Sequence, residues 1–272
     1  TFIENKYDTA TSSLLIYHST WFEILMLLLA VLFFGNSIKK QLFRIDKLPQ
    51  LLFHCSFIVL IIGGGITRYF GFEANMHLLE NEVVNELYSK EPFLQVRTID
   101  KKFEFTSSTP LYFSQIENNA FHLEFELEKV GDLEITFQDY IVNGDDLFLL
   151  HSSEEDKIDY RTRNPDKEGP YALIINISYK GKTHEAILFY DDTKYIQKFK
   201  AFNFDDLQLE LTYGPKPLDL PFALQLEKFT LTKYPGTNIP SASQSELLLI
   251  DDRENLTESH VIAKNKVLDY DG

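Results

Sequence analysis

The pattern of hydrophobic and polar positions changes once along the chain, near residue 70. Before that point lie two long apolar runs, residues 20–36, interrupted by Glu23, and residues 48–70, which number 23. At 1.5 Å per residue the second run extends about 34 Å as a helix, and the hydrocarbon core of a bilayer is about 30 Å thick. The lengths predict two transmembrane helices, with a buried helix pair in a soluble protein as the alternative.

After residue 70 the apolar positions alternate with polar ones, which is the pattern of half-buried strands. Seven segments show it: 121–130, 133–142, 171–179, 183–190, 207–213, 222–232 and 245–251. Turn residues separate them, as in Tyr179-Lys180-Gly181-Lys182. The fold class predicted is therefore a membrane protein whose transmembrane α-helices are followed by a large antiparallel β-domain over 71–272, a sandwich or an open barrel.

The connection between the two runs, residues 37–47, predicts the orientation. It carries four basic residues against the single acidic Asp46: Lys39, Lys40, Arg44 and Lys47. Positively charged loops stay on the cytoplasmic side, so this loop is expected there and the β-domain on the opposite side.

Charge differs between the two parts and excludes some functions. Residues 1–70 carry six basic against four acidic side chains, whereas residues 71–272 carry 20 against 37, a net charge of −17. A surface this acidic repels phosphates, so nucleic acid is not an expected partner. Cys55 is the single cysteine, which excludes a disulfide framework and favours a small buried hydrophobic role for its side chain.

His54 is the candidate functional residue of the second run. It lies six residues after Leu48, about 9 Å along a helix and inside an apolar stretch, where an ionisable side chain needs a partner. One interpretation is an axial ligand of haem iron, with Phe57, Ile58 and Ile61 at helical spacing as an apolar wall for the porphyrin. The other is a histidine that is hydrogen-bonded to a neighbouring helix.

No catalytic motif is found in the sequence after residue 70: it contains no HExxH, no G-x-S-x-G and no glycine-rich phosphate loop. We therefore expect no catalytic residue in this part of the chain. Near the outer membrane surface, Glu23 is expected to reach water and Arg68 to pair with Glu73.

Four segments carry a resemblance to a known family. They are FIENKYDT (2–9), IYHSTWFE (16–23), LLFHCSFIVLIIGGGITRYFGFEANMH (51–77) and LPFALQLEKFTLTKYPGTNIPSASQSELLLID (220–251). In this order they resemble the ResB/CcsB family of system II cytochrome c biogenesis, which in some epsilonproteobacteria is fused to its partner CcsA as one CcsBA polypeptide. Ala74, Leu79 and Asn81 stand where the family pattern has Gly, Arg and Gly.

The resemblance implies a haem exporter and cytochrome c synthetase of the bacterial inner membrane, with haem b as the bound group. His54 matches the family's transmembrane histidine on the CcsB side. The second iron ligand and the synthetase chemistry would belong to CcsA, and haem would be attached to the CxxCH thiols of apocytochrome c.

The same resemblance implies that residues 1–20 form the extracytoplasmic end of a preceding helix and the loop after it, and that residues 71–272 lie in the periplasm. It also implies a multi-pass protein in contact with membrane lipid. A different class of function stays open from the residues alone. In it the chain is a non-catalytic, membrane-anchored scaffold or sensor whose β-domain binds a protein partner.

Overall fold

The computed structural model describes residues 2, 9–98, 105–114, 116, 119–127, 131–141, 171–190 and 198–271. Most of the FIENKYDT segment lies outside these residues. Helices occupy the beginning of the described chain, and two of them are long. The helical elements are α1 (Thr9–Ser12), a π-helical turn (Ser13–Tyr17), α2 (Thr20–Lys39), a 3-10 turn (Ile45–Lys47) and α3 (Leu48–Phe70).

The two long helices expose their apolar side chains instead of burying them. Within the described residues, α2 and the segment Ile45–Phe70 are the helices long and apolar enough to cross a membrane. Only 6% of the apolar window of α2, and none of that of α3, is buried inside the protein. Leu27 and Leu60 keep about two-thirds of their surface exposed, at 66% and 69%. The two helices are therefore not buried inside this chain, and the arrangement is compatible with a membrane-anchored β-domain.

Eight pairs of the strands that follow form antiparallel ladders. Their bounds are β1 (Ala74–Asn75), β2 (Val83–Thr98), β3 (Thr106–Pro110), β4 (His122–Leu127), β5 (Gly131–Ile141), β6 (Tyr171–Tyr179), β7 (Lys182–Tyr190), β8 (Lys200–Asn203), β9 (Gln208–Lys233), β10 (Pro240–Asp251) and β11 (Leu256–Ala263). One sheet of the described chain has the order β1-β2-β9-β10-β11, with β3 beside β2 and β8 beside β9. The other has the order β4-β5-β6-β7.

The described residues divide into two compact units. Unit 1 contains Thr1–Phe72 and Glu91–Gly214, and unit 2 contains Glu73–Lys90 and Pro215–Gly272. The long strands β2 and β9 contribute residues to both units.

Unit 1 holds the larger hydrophobic core. Leu94 and Val96 of β2, Ile135 of β5, Ile175 of β6 and Leu209 of β9 are almost fully buried and belong to this one cluster. Both sheets therefore contribute side chains to the core of unit 1. Hydrophobic burial of this kind is the main favourable term in folding.

Strand β6 departs from the predicted half-buried pattern because both of its faces are covered. Leu173 and Ile175 point into the main core, and Ala172 and Ile174 belong to a second cluster with Ile141 of β5. The predicted turn between β6 and β7 is confirmed, since Lys180 and Gly181 have φ angles of 47° and 78°. Two positive φ angles in a two-residue loop are the mark of the tight hairpin turn that suits twisted strands.

Unit 2 is built on the antiparallel ladders β9–β10 and β10–β11, with the β1–β2 pair. In the segment that enters it, Asn81 has a φ of 70° and its N–H donates to the Leu226 carbonyl. The family pattern has glycine at this position, and asparagine is among the few other residues that adopt such a φ readily. The departure noted in the sequence therefore preserves the backbone turn.

Candidate functional site

His54 lies on α3 and its side chain faces α2. The Nδ1 atom is 2.8 Å from the Gln50 carbonyl oxygen, one turn earlier on the same helix. A carbonyl oxygen only accepts, so Nδ1 carries the proton and donates it to this bond. The other ring nitrogen, Nε2, then has a free electron pair and accepts a hydrogen bond from Asn36 Nδ2 of α2 at 3.2 Å. The imidazole of His54 is thus neutral and held from both sides.

The two bonds of His54 have different strengths. The bond to Gln50 has the ordinary length and fixes the tautomer and orientation of the ring, as backbone carbonyls do for metal-binding histidines. The bond from Asn36 is at the long end of the normal range and joins two neutral groups. Nε2 is therefore the ring nitrogen from which a ligand could displace the protein partner.

Aromatic rings surround the imidazole. Phe33 of α2 and Phe53 of α3 both contact it edge-to-face, with ring centroids 5.5 Å and 5.9 Å away. Phe33 also stacks on Phe57, with centroids 4.9 Å apart and planes within 4° of parallel. The structure thus presents one imidazole nitrogen within an apolar, aromatic environment.

The predicted wall residues lie on the same stripe of α3 as His54. Phe57, Ile58 and Ile61 are all half-buried, whereas the neighbouring Val59 and Leu60 are exposed. The sequence did not single out Asn36 and Phe33, which complete the site from α2. Phe33 and Asn36 are three residues apart and therefore lie on the same face of α2, which is a signal that the sequence contains. Which face of α2 contacts α3 cannot be identified without knowing how the two helices pack.

The cysteine and the glycine run of α3 lie on parts of the helix that α2 does not cover. Cys55 is exposed on the helix surface, so its expected role as a small buried hydrophobic residue is wrong. At Gly63, Gly64 and Gly65 an added Cβ would meet no described atom within 4 Å. Helix α2 therefore does not pack closely against this glycine run.

A second polar contact joins the helices at their open end, opposite to the loop that connects them. Arg68 of α3 donates from Nη2 to Glu23 Oε1 of α2 at 2.5 Å, and its Nη1 bonds to the Tyr17 carbonyl oxygen. The expected Arg68–Glu73 pair is wrong, and Glu23 turns inward to Arg68. Glu73 pairs instead with Lys90 at 2.7 Å, and this contact lowers the pKa of the Glu73 carboxyl.

The strands of units 1 and 2 show no comparable site. Among the residues that the structure describes, no group of three or more His, Cys, Asp or Glu side chains could hold a metal ion. The most strongly paired carboxyl is Asp251, which is fully buried, accepts from Arg253 Nη2 at 2.6 Å and from the Tyr270 hydroxyl at 2.7 Å. This arrangement satisfies the carboxylate within unit 2 and gives it a structural role.

Comparison with known proteins gives one informative match. The chain is 30% identical to Protein NrfI of Wolinella succinogenes over 281 aligned positions, which cover the whole of this chain and 27% of that protein. No protein-family model matches the chain. The chain thus spans about a quarter of the length of this curated relative. The similarity extends over the whole of this chain, including the four segments that carry the resemblance to the ResB/CcsB family.

Proposed function

We propose that this chain is the haem-holding CcsB part of a system II haem exporter and cytochrome c synthetase. The observation that carries the proposal is the state of His54, a neutral imidazole in an apolar helix pair. Its Nδ1 is anchored on a backbone carbonyl and its Nε2 carries an exchangeable bond. The sequence resemblance and the match over the whole chain support the same function.

The residues around His54 suit haem b as the transported group. Haem offers an iron that binds a neutral imidazole nitrogen and a flat apolar macrocycle that favours aromatic surroundings. His54 would bind through Nε2, and Phe33, Phe57, Ile58 and Ile61 would provide the apolar wall. Asn36 would have to release Nε2 first, while the Gln50 carbonyl would keep the ring oriented.

The rest of the proposed system lies outside this chain. CcsA would supply the second iron ligand and the synthetase chemistry, and apocytochrome c would receive haem on its CxxCH thiols. The chain would sit in the bacterial inner membrane, with residues 37–47 in the cytoplasm and the strands in the periplasm. The net charge of −17 on residues 71–272 would attract basic faces of an apocytochrome, an effect that salt weakens.

The decisive experiment replaces His54 by alanine in the full-length membrane complex. We expect the haem content of the purified complex to fall by about tenfold or more, because the loss of an axial ligand opens a coordination position. Added imidazole should restore part of the haem absorption. His77→Ala and His260→Ala serve as matched controls and should keep the haem content of the unmodified protein. Equal haem content and an unchanged spectrum in His54→Ala would exclude the proposal.

The alternative of a non-catalytic membrane scaffold is favoured by one observation, the Asn36–His54 bond. A histidine in this bond needs no further ligand, since both ring nitrogens have partners. In that case the complex would purify without haem, and His54→Ala would weaken only the packing of the helix pair. The haem spectrum of the unmodified complex therefore separates the two functions.

A further inference from the structure

The end of β9 and the start of β10 form a hairpin that extends from unit 2, and residues 228–245 are here named the arm. Every residue from 227 to 240 is exposed, so neither face of this stretch packs against a core. The two strands are held together by their ladder, in which Phe229 lies opposite Ser245 and Leu231 opposite Ser243. A strand pair exposed on both faces is unusual, because an isolated hairpin is only marginally stable in water.

A well-defined turn closes the arm. Thr237 donates its backbone N–H to the Tyr234 carbonyl at 3.1 Å, and Gly236 has a φ of 76°. With Pro235 before this glycine, the segment has the features of a type II turn. The N–H of Tyr234 also donates to the Ile239 carbonyl at 3.1 Å, which fixes these two side chains at the tip.

The side chains of the arm are apolar and basic. Phe229, Leu231, Tyr234 and Ile239 leave 45–62% of their surface exposed. The arm contains two basic residues, Lys228 and Lys233, and no acidic residue, although residues 71–272 together carry −17. Because Glu246 lies opposite Lys228 in the ladder and Glu227 precedes it, the positive charge of the arm is that of Lys233 near the turn. The tip is therefore a weakly basic, aromatic and aliphatic patch on an otherwise acidic part of the chain.

We propose that the tip of the arm inserts into the headgroup region of an anionic lipid surface, that of the membrane that anchors the chain. Aromatic and aliphatic side chains with flanking lysines are the composition that binds this interface. Lys233 would contact lipid phosphates, while Tyr234 and Ile239 would enter the boundary with the acyl chains. A basic protein partner fits less well, because it would be repelled by Lys233, and a second copy would bring a second such lysine to the contact.

The length of the chain permits this contact. Glu80 lies ten positions after Phe70, the last residue of α3, and a fully extended segment of that length spans at most about 36 Å. Glu80 Oε1 accepts the backbone N–H of Phe229 at the base of the arm, at 2.9 Å. Since α2 and α3 anchor the protein, the lipid is present at high effective concentration, and a weak contact is sufficient to hold the tip in place.

The test places one tryptophan at the tip of the full chain in nanodiscs that contain phosphatidylglycerol. Trp21 is the single tryptophan, so Trp21→Phe provides the background for Ile239→Trp, with Tyr234→Trp as a second tip variant. We expect the emission at either tip position to shift to shorter wavelength and to be quenched by brominated lipids. Val267→Trp is the matched control, since Val267 is an exposed apolar residue of unit 2 outside the arm, and its emission should show neither effect.

Charge reversal tests the lysines in the same assay. Lys233→Glu should reduce the inserted fraction by roughly fivefold for the positive charge removed from an anionic surface, and Lys228→Glu should have a smaller effect because Glu246 lies opposite Lys228. A tip tryptophan with water-exposed emission and no quenching would overturn the proposal. Emission at shorter wavelength without quenching by brominated lipids would also overturn it and would show a protein contact, either with a partner or with a second copy.

Discussion

The two polar contacts between α2 and α3 lie about 20 Å apart along the helices and differ in chemistry. At the open end, Arg68 binds Glu23 and the Tyr17 carbonyl, so that charged groups meet and the guanidinium has two partners. At the end joined by the loop, Asn36 and His54 share one long bond between neutral groups. Both contacts link the same pair of helices, but only the Asn36–His54 bond is easily displaced by a ligand.

This difference separates a structural contact from a candidate binding site. Removing one member of an ion pair in an apolar environment leaves an uncompensated charge, so the pair resists exchange. Removing the Asn36 side chain leaves a neutral nitrogen with a free electron pair, which is the form of imidazole that metals bind. A polar residue in a membrane helix therefore indicates function most clearly where its partner is neutral and singly bonded.

The largest effect is expected at the open end. Arg68→Gln leaves the Glu23 carboxylate without its cation and should lower the free energy of unfolding of the helix pair by about 2–3 kcal/mol. This is below the usual range for fully buried pairs because Glu23 retains 36% exposure of its side chain. Urea or thermal unfolding in detergent micelles measures it.

A double variant provides the control for this first prediction. Glu23→Gln together with Arg68→Gln removes both charges, so it should cost less than Arg68→Gln alone because no uncompensated carboxylate remains. Equal losses of unfolding free energy in the single and double variants would show that an uncompensated Glu23 carboxylate carries no extra cost. The ion pair would then not be a contact that resists exchange.

The sequence predicted the helices well and their contacts poorly. The apolar runs identified α2 and α3 because membrane-spanning length is a property of one segment. Partners such as Asn36 for His54 and Glu23 for Arg68 depend on the rotation of one helix against the other. The expectation for Arg68 failed for this reason, since Glu73 is closer along the sequence while Glu23 faces Arg68 across the helix pair.

For the strands, alternation identified β4 to β7 and parts of β9 and β10, and the turn at Lys180 and Gly181 follows from its residues. Strands β1, β2, β3, β8 and β11 were not predicted. The sequence of β2 contains Lys90, Glu91 and Pro92 in its middle, which interrupt the alternation. The division into two units depends on contacts between residues far apart in the chain, which the alternation within one strand does not indicate.

The second prediction compares Glu23–Arg68 with an ion pair outside the helices. Arg253 holds the pKa of Asp251 well below its usual range, so the carboxylate stabilises the fold fully above its unfolded pKa of about 3.9. That contribution is lost as the pH falls towards the folded pKa. Asp251→Asn should therefore destabilise unit 2 at pH 7, and the difference from the unmodified protein should shrink from about pH 5 downward.

Hydrogen exchange of β10 amides in the full chain measures this second effect. We expect it to be smaller than that of Arg68→Gln, because the Arg253 side chain is 47% exposed and water screens the pair. The matched control is Asp252→Asn, which changes an exposed neighbour of Asp251. A difference between Asp251→Asn and unmodified protein that stays constant from pH 7 to pH 3 would contradict the assigned pKa direction.

The third and smallest effect concerns the joined end, where the Asn36 bond competes with any ligand of His54 Nε2. In Asn36→Leu this competition is removed, so ferric haem should bind the full-length complex about fivefold more tightly, the equivalent of one neutral hydrogen bond of about 1 kcal/mol. Ser37→Ala is the matched control, because Ser37 Oγ bonds to the Phe33 carbonyl and not to His54. The ¹⁵N shift of His54 Nε2 without haem should report the lost bond in Asn36→Leu alone. Haem binding that is unchanged or weaker in Asn36→Leu, while His54→Ala still loses haem, would show that Asn36 does not compete with haem for His54 Nε2. The Asn36–His54 bond would then not be an exchangeable contact that differs from the Arg68–Glu23 pair.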